Sequence, residues 1–301
     1  VTVPASTTIW IYDICFGGGY YVISAKVITS SGTYSYQYYT NDIENGVFAG
    51  QQVGPNGSQH CHVSYTNGRF FYVYQLNSTG STALKTATTP TSLSAQVIVQ
   101  TTSQVAFFSN VVWNGTYYVL LAGTSNTSPT IYKSTDGSSW AATTSIAPRP
   151  INFLFTYQGE VYAVGGGSLY KLNSDLSGST SIRGVLYNSS ICFGENYAFY
   201  IGRNNVFTTP TCPLFLTVFA SIDDFLSPTG AHIKQYKLTD DAAMTSSILM
   251  YGQFFSVPDN PGSELVVQSL GGTGWAAGAY TPTYGNDPLG HKTPQITTDQ
   301  A

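Results

Sequence analysis

Ile131-Tyr132-Lys133-Ser134-Thr135-Asp136-Gly137-Ser138-Ser139-Trp140 is the stretch on which the reading of this chain rests. It reads as one strand, a tight turn, and a Trp that opens the next strand. The chemistry is local. An Asp at this place folds its carboxylate back onto turn N–H groups, a Gly supplies the positive φ, and the Trp packs under the turn. Such a staple reports a fold rather than an activity.

The surrounding chain repeats the pattern. Upstream, Val111-Val112-Trp113-Asn114-Gly115-Thr116-Tyr117-Tyr118-Val119-Leu120 is a strand, an Asn-Gly turn and an aromatic strand, a strong hairpin signal. A glycine turn followed by an aromatic strand recurs at Gly18, Gly68, Gly115, Gly159, Gly194 and Gly252, with steps of 50, 47, 44, 35 and 58 residues. Steps of this size match a four-stranded propeller blade. Ile14-Cys15-Phe16-Gly17 returns as Ile191-Cys192-Phe193-Gly194, and Tyr38-Tyr39-Thr40-Asn41-Asp42 occupies the place that Tyr132 to Asp136 holds later. Residues Ser134, Asp136, Gly137 and Trp140 resemble the Asp-box of sialidase-like β-propellers, with one residue fewer between Asp and Trp. The expectation is an all-β, six-bladed β-propeller over residues 1–282, with residues 1–13 closing the ring. An irregular, extended C-terminal tail is expected over 283–301, where Pro288, Pro294, Gly285 and Gly290 oppose regular structure. Other all-β folds with glycine turns are the alternative.

Composition narrows the function. Charged residues make up 9% of the chain, against about 25% in ordinary globular proteins. Hydroxyls and amides must therefore carry solubility. The net charge is −4 and the basic residues are scattered, so the footprint that nucleic acid demands is missing. No apolar run reaches the length of a membrane helix. This style of composition resembles surface proteins of thermoacidophilic archaea and their viruses, and it implies an extracellular, cell-surface or virion-surface location. A chain that begins at Val1 reads equally as a processed secreted protein or a trimmed one.

Four cysteines, Cys15, Cys61, Cys192 and Cys212, form no Cys-x-x-Cys pair. The favoured pairing is Cys15–Cys61 with Cys192–Cys212, and four buried free thiols are the alternative. His60-Cys61-His62 places two imidazoles on one face of a strand, a weak beginning of a metal site without a third ligand. No metal and no cofactor are expected. Glycosylation sequons begin at Asn56, Asn77, Asn114, Asn126 and Asn188, about as many as chance supplies.

The resemblance to sialidases implies an arginine triad, a Tyr–Glu nucleophile pair and an acidic Asp. The chain holds only Arg69, Arg149, Arg183 and Arg203, none followed by Ile-Pro and none in the first 68 residues. Asp223-Asp224 and Asp240-Asp241 are adjacent pairs, which a strand would point to opposite faces. Neither supplies the facing dyad of a glycosidase. The expected function is therefore non-enzymatic: adhesion, receptor recognition or glycan binding, with a cell-surface glycan or protein receptor as partner. A subunit of a surface assembly held by its terminal arms is the second reading, with neighbouring subunits as partners. A degenerate glycoside hydrolase is the third. The tryptophans Trp10, Trp113, Trp140 and Trp275 do not repeat in register, which favours one specialised surface over one sugar site per blade.

Overall fold

The computed structural model describes residues 8–44, 46–76, 80–100, 106–124, 129–145, 151–165, 167–185, 187–193, 198–203, 214–230, 232, 234–239, 244–250, 253–258, 266–269, 284–286 and 292–294. Successive segments fold into antiparallel meanders. The first sheet is β1 (Thr8–Gly17), β2 (Tyr20–Thr29), β3 (Gly32–Thr40) and β4 (Ala49–Gln52), paired in that order. The second is β5 (Ser58–Thr66), β6 (Arg69–Leu76), β7 (Ser81–Ala87) and β8 (Val97–Gln100). The third holds β9 (Ala106–Phe108), β10 (Val112–Trp113), β11 (Tyr118–Thr124), β12 (Thr130–Ser134) and β13 (Ala141–Ser145), with β9 and β10 both on β11. The fourth is β14 (Ile151–Tyr157), β15 (Glu160–Gly165), β16 (Ser168–Leu172) and β17 (Ser179–Gly184). The fifth is β18 (Tyr187–Phe193), β19 (Ala198–Arg203), β20 (Leu214–Phe219) and β21 (Lys234–Thr239), with the helical turn α1 (Ile222–Leu226) between β20 and β21. Then come β22 (Met244–Met250), β23 (Gln253–Pro258) and β24 (Val266–Ser269), and a hairpin of β25 (Tyr284–Asn286) and β26 (Lys292–Pro294). Two compact units form: residues 1–166 with 170–181, and residues 167–169 with 182–301.

At both ends the described residues form strands. Residues 8–13, expected to close the ring, begin β1 and pair with β2, with a register shift between Ile11 and Asp13. The tail is not wholly irregular, because Tyr284 pairs with Pro294 and Asn286 with Lys292. Pro294 ends β26, where its missing N–H does least harm, while Pro288 and Gly290 lie outside the described residues.

The first unit shows why the chain folds this way. At the β5–β6 turn Asn67 (φ 47°) and Gly68 (φ 76°) both take left-handed conformations, the mirror-image turn that matches strand twist. Beyond it, β6 alternates between two cores. Phe70, Tyr72 and Tyr74 join Val22, Val53, Cys61 and Val63 on one side. Phe71 and Val73 join Phe108, Val111, Tyr118 and Leu120 on the other. The next repeat does the same one step on, for Val119 and Leu121 of β11 pack with Leu154, Val161 and Ala163. The middle strands are therefore buried on both faces, and each large side chain contributes about 1.5–3 kcal/mol. Directional bonds lock neighbouring sheets. Asn110 donates Nδ2 to the Leu154 carbonyl at 2.9 Å and accepts the Leu154 N–H at 2.8 Å. Ser64 Oγ accepts the Val111 N–H at 3.2 Å, and Thr143 Oγ1 donates to the Leu176 carbonyl at 3.0 Å.

The β12–β13 turn is stapled by its own side chains. Asp136 Oδ1 accepts the N–H groups of Ser138 and Ser139 at 2.7 and 2.8 Å, and the Ser134 hydroxyl donates to it at 2.9 Å. Gly137 takes φ 73°, and Trp140 Nε1 donates to the Gly137 carbonyl at 3.2 Å. Trp140 is half-buried, set edge-on to Phe71 with centroids 6.4 Å apart. The turn is also tied to the second sheet, because Arg69 Nη1 donates to the Asp136 carbonyl at 3.2 Å. Related staples close the first and fourth sheets. Thr40 Oγ1 accepts the Asp42 N–H, and Asp42 Oδ1 accepts the Glu44 N–H, both at 3.1 Å. Asp175 Oδ1 accepts the Ser177 N–H at 2.9 Å, and Leu176 takes φ 63° where Gly137 stands in the box.

Three outcomes follow. Asn110→Ala leaves the buried Leu154 N–H and C=O unpaired and should cost about 2–4 kcal/mol, read from denaturant midpoints. Trp140→Ala should cost roughly 2 kcal/mol, less than for a fully buried indole. The Ser139 and Ser138 N–H groups, with the Ser134 hydroxyl, hold the Asp136 carboxyl down to about 2, below its unfolded value of about 3.9. Its stabilising effect should be complete above pH ~4 and lost as the pH falls toward ~2. Asp136→Asn should flatten that acid limb in urea titrations between those pH values, and identical slopes in both proteins would contradict the staple.

Candidate functional site

Within the second unit, a cavity of about 310 Å³ is lined by Arg183, Tyr200, Thr217, Phe219, Phe225 and His232, with Gly184 and Val185 at one wall. The local sequence builds it. After β20 the chain leaves the sheet at Ser221, whose Oγ accepts the Asp224 N–H at 2.9 Å and donates to Asp224 Oδ2 at 2.8 Å. That N-cap starts α1, which buries Phe225 completely. Phe225 packs on Phe219 and Tyr200, with centroids 5.3 and 6.1 Å away. The cavity thus gains an aromatic floor.

Arg183 braces the other side. Its Nη1 donates to the Gly230 carbonyl at 2.8 Å and the Ser227 carbonyl at 3.2 Å, with a long contact to the Asp224 carbonyl at 3.5 Å. Its guanidinium stands 5.1 Å over the Phe219 ring. Burial pushes its pKa down, while Tyr200 nearby pushes it up, and an arginine keeps its charge throughout. His232 is exposed and lies edge-on to Phe219 at 6.3 Å. The result is a small, half-open site with aromatic surface, hydroxyls, one fixed cation and one imidazole. Its volume is near the lower end of small-molecule sites, about 300–1,000 Å³.

Few residues singled out in the sequence lie here. Ser134, Asp136, Gly137 and Trp140 form the turn staple of the first unit. Of the arginines, Arg69 and Arg183 are each committed to backbone carbonyls, and Arg149 lies outside the described residues. Asp224 turns back to its own cap, and Asp240-Asp241 lies outside the described residues. The expected Cys15–Cys61 bridge is corrected, because both are free thiols. They pack in one apolar cluster, and Cys61 Sγ faces the His62 carbonyl at 3.8 Å. Burial, with Asp13 adding to it, pushes both thiols up, against the thiolate that disulfide exchange requires. Cys192 is in β18, and Cys212 lies outside the described residues. Of the expected histidine pair, the side chain of His60 lies outside what the structure describes, and the ladder shifts register between Gln59 and Cys61. His62 Nδ1 meets Asp13 Oδ2 at 3.3 Å. No group of three metal-binding side chains gathers among the described residues. Of the sequons, Asn56 and Asn114 lie in turns, Asn188 is in β18, and Asn77 and Asn126 lie outside the described residues.

Sequence reasoning missed Arg183, Tyr200, Thr217, Phe219, Phe225 and His232 as a group. One signal was present. Ser221-x-x-Asp224 before Phe225 is a helix-capping pattern, and it marks a departure from the hairpin repeat.

A family model described as DUF6242 beta propeller domain matches residues 46–187. No curated protein matches the chain. Solved structures do. A Trypanosoma rangeli sialidase in complex with sialic acid aligns at TM-score 0.53 and 13% identity, covering 88% of this chain and 54% of that one. The chain therefore spans about half the length of that sialidase. A triple arginine-to-alanine mutant of AofleA from Arthrobotrys oligospora aligns at TM-score 0.53 and 8% identity, with 84% of each chain covered. A candidate 6-phosphogluconolactonase from Bacteroides uniformis aligns at TM-score 0.55 and 12% identity, covering 81% of this chain and 76% of that one. Likeness at these identities concerns the fold. The chain is an all-β protein with the β-propeller fold, and sialidase-like propellers are among its structural neighbours.

Proposed function

We propose that this chain is a non-enzymatic binding module of an extracellular or virion surface, serving adhesion or receptor recognition by holding a saccharide of its partner. The observation that carries this reading is the cavity over Phe219 and Phe225, rimmed by Arg183 and His232. An apolar wall backed by Phe219 and Phe225 suits the C–H face of a sugar, and the exposed His232 imidazole offers a hydrogen-bond partner to a sugar hydroxyl. The described lining contains no carboxylate, whereas the usual glycosidase requires two. The low charge of the chain also suits a surface whose contacts are made by hydroxyls and amides. No helix among the described residues is long and apolar enough to cross a membrane.

The test is a glycan array followed by calorimetric titration of each hit. Val185→Trp, which fills the cavity from its wall, should abolish binding while leaving the melting midpoint unchanged. His232→Ala should weaken binding about tenfold, the equivalent of one hydrogen bond of ~1.4 kcal/mol. Hydrolysis of an aryl glycoside by the wild-type chain would refute the non-enzymatic reading. Binding that survives Val185→Trp would refute the site.

A further inference from the structure

We propose that Asn114 is a glycan acceptor, and that its attached oligosaccharide lies in a polar cleft formed by three turns of the first unit. The cleft has a volume of about 240 Å³ and is lined by Asn114, Thr116, Gln158, Glu160, Asn173 and Ser174. These residues come from the β10–β11, β14–β15 and β16–β17 turns. Its walls are amides, hydroxyls and a carboxylate. That chemistry suits a polyhydroxylated ligand, since each group can exchange a hydrogen bond with a sugar. Glu160 is also paired with Lys171 at 3.2 Å, so this wall presents donors as well as acceptors.

Two sequon asparagines have side chains in view, and their geometry separates them. Asn114 Oδ1 accepts the N–H groups of Tyr117 at 2.7 Å and Thr116 at 3.0 Å. Its Nδ2 has no acceptor among the described residues, and the side chain borders the cleft. Asn56 uses both ends of its amide. Nδ2 donates to the Ser31 carbonyl at 3.2 Å, and Oδ1 accepts the Thr33 N–H at 3.3 Å. A substituted amide keeps its substituent on the oxygen's side of the C–N bond. A sugar on Asn56 would have to share Nδ2 with the bond to the Ser31 carbonyl. A sugar on Asn114 displaces no such bond, and the turn staple through Oδ1 persists.

The transfer balances with one co-reactant, an oligosaccharide activated on a lipid diphosphate. Asn114 Nδ2 forms a bond to the anomeric carbon, the bond from that carbon to the phosphate oxygen breaks, and the lipid diphosphate leaves with the electron pair. One amide proton passes to a base of the transferase.

The test is expression of the full chain in a eukaryotic secretory system with glycopeptide mass spectrometry. Delivery to the transferase is then deliberate, so the outcome does not depend on where the chain resides or on the saccharide cavity of the second unit. Asn114 should be occupied in most molecules and Asn56 in almost none. Thr116→Ala removes the sequon while keeping the Asn114 staple, and it should remove that glycan alone. Gln158→Ala should lower the melting midpoint of the glycosylated protein by about 2 °C and leave the Thr116→Ala protein unchanged. An empty Asn114, or equal occupancy at Asn56, overturns the acceptor. Equal effects of Gln158→Ala in both backgrounds overturn the seating of the glycan in the cleft.

Discussion

Everything in the first unit follows from sheets whose two faces are both apolar. Such a sheet is not stable in water alone, because each face must be covered by the next. Strand β6 makes the point, since Phe70 through Tyr74 are all buried. Period-2 alternation sends Phe70, Tyr72 and Tyr74 one way and Phe71 and Val73 the other. Apolar burial has no direction, so it does not by itself fix how one sheet sits on its neighbour. The polar ties do that. Asn110 grips both backbone groups of Leu154, Val111 is held by Ser64, and Thr143 reaches Leu176. They are few, but each is a bond that a rotated or slipped sheet would leave unmade.

The turn staples show how a repeat persists while its sequence drifts. In all three, a carboxylate accepts the N–H two residues on. The left-handed position is Gly137 in one copy and Leu176 in another. Leucine is poorly suited to that conformation. Here its side chain is fully buried in the core shared by the third and fourth sheets, and its carbonyl receives Thr143. Tertiary packing thus offsets a local backbone penalty. A motif search keyed to Asp-Gly passes over this copy.

The second unit departs from the repeat where its cavity forms. Between β20 and β21 the hairpin turn gives way to α1, capped by Ser221 and braced at its far end by Arg183. The sheets supply the frame, and the inserted helical turn supplies Phe225. Functional variety in repeat folds commonly lies in such insertions. Composition gave a complementary constraint, since a chain so poor in charge relies on hydroxyls and amides for its surface chemistry.

The amino-acid sequence alone determined the class of fold and its phase. Among the described residues, the glycine markers lie ahead of β2, β6, β11, β15, β19 and β23. The equivalence of Tyr38–Asp42 with Tyr132–Asp136 is matched by the same pattern of turn bonds. These features were legible because turns and alternation are local, set by residues within a few positions of one another. What only the tertiary structure decided is everything that depends on distant partners. Asp13 meets His62 across 49 residues, and Arg183 finds its carbonyls 41 to 47 residues away. The free state of Cys15 and Cys61 and the separate circumstances of Asn56 and Asn114 belong to the same group. None leaves a mark in local spacing, because each depends on how the chain is brought together in three dimensions.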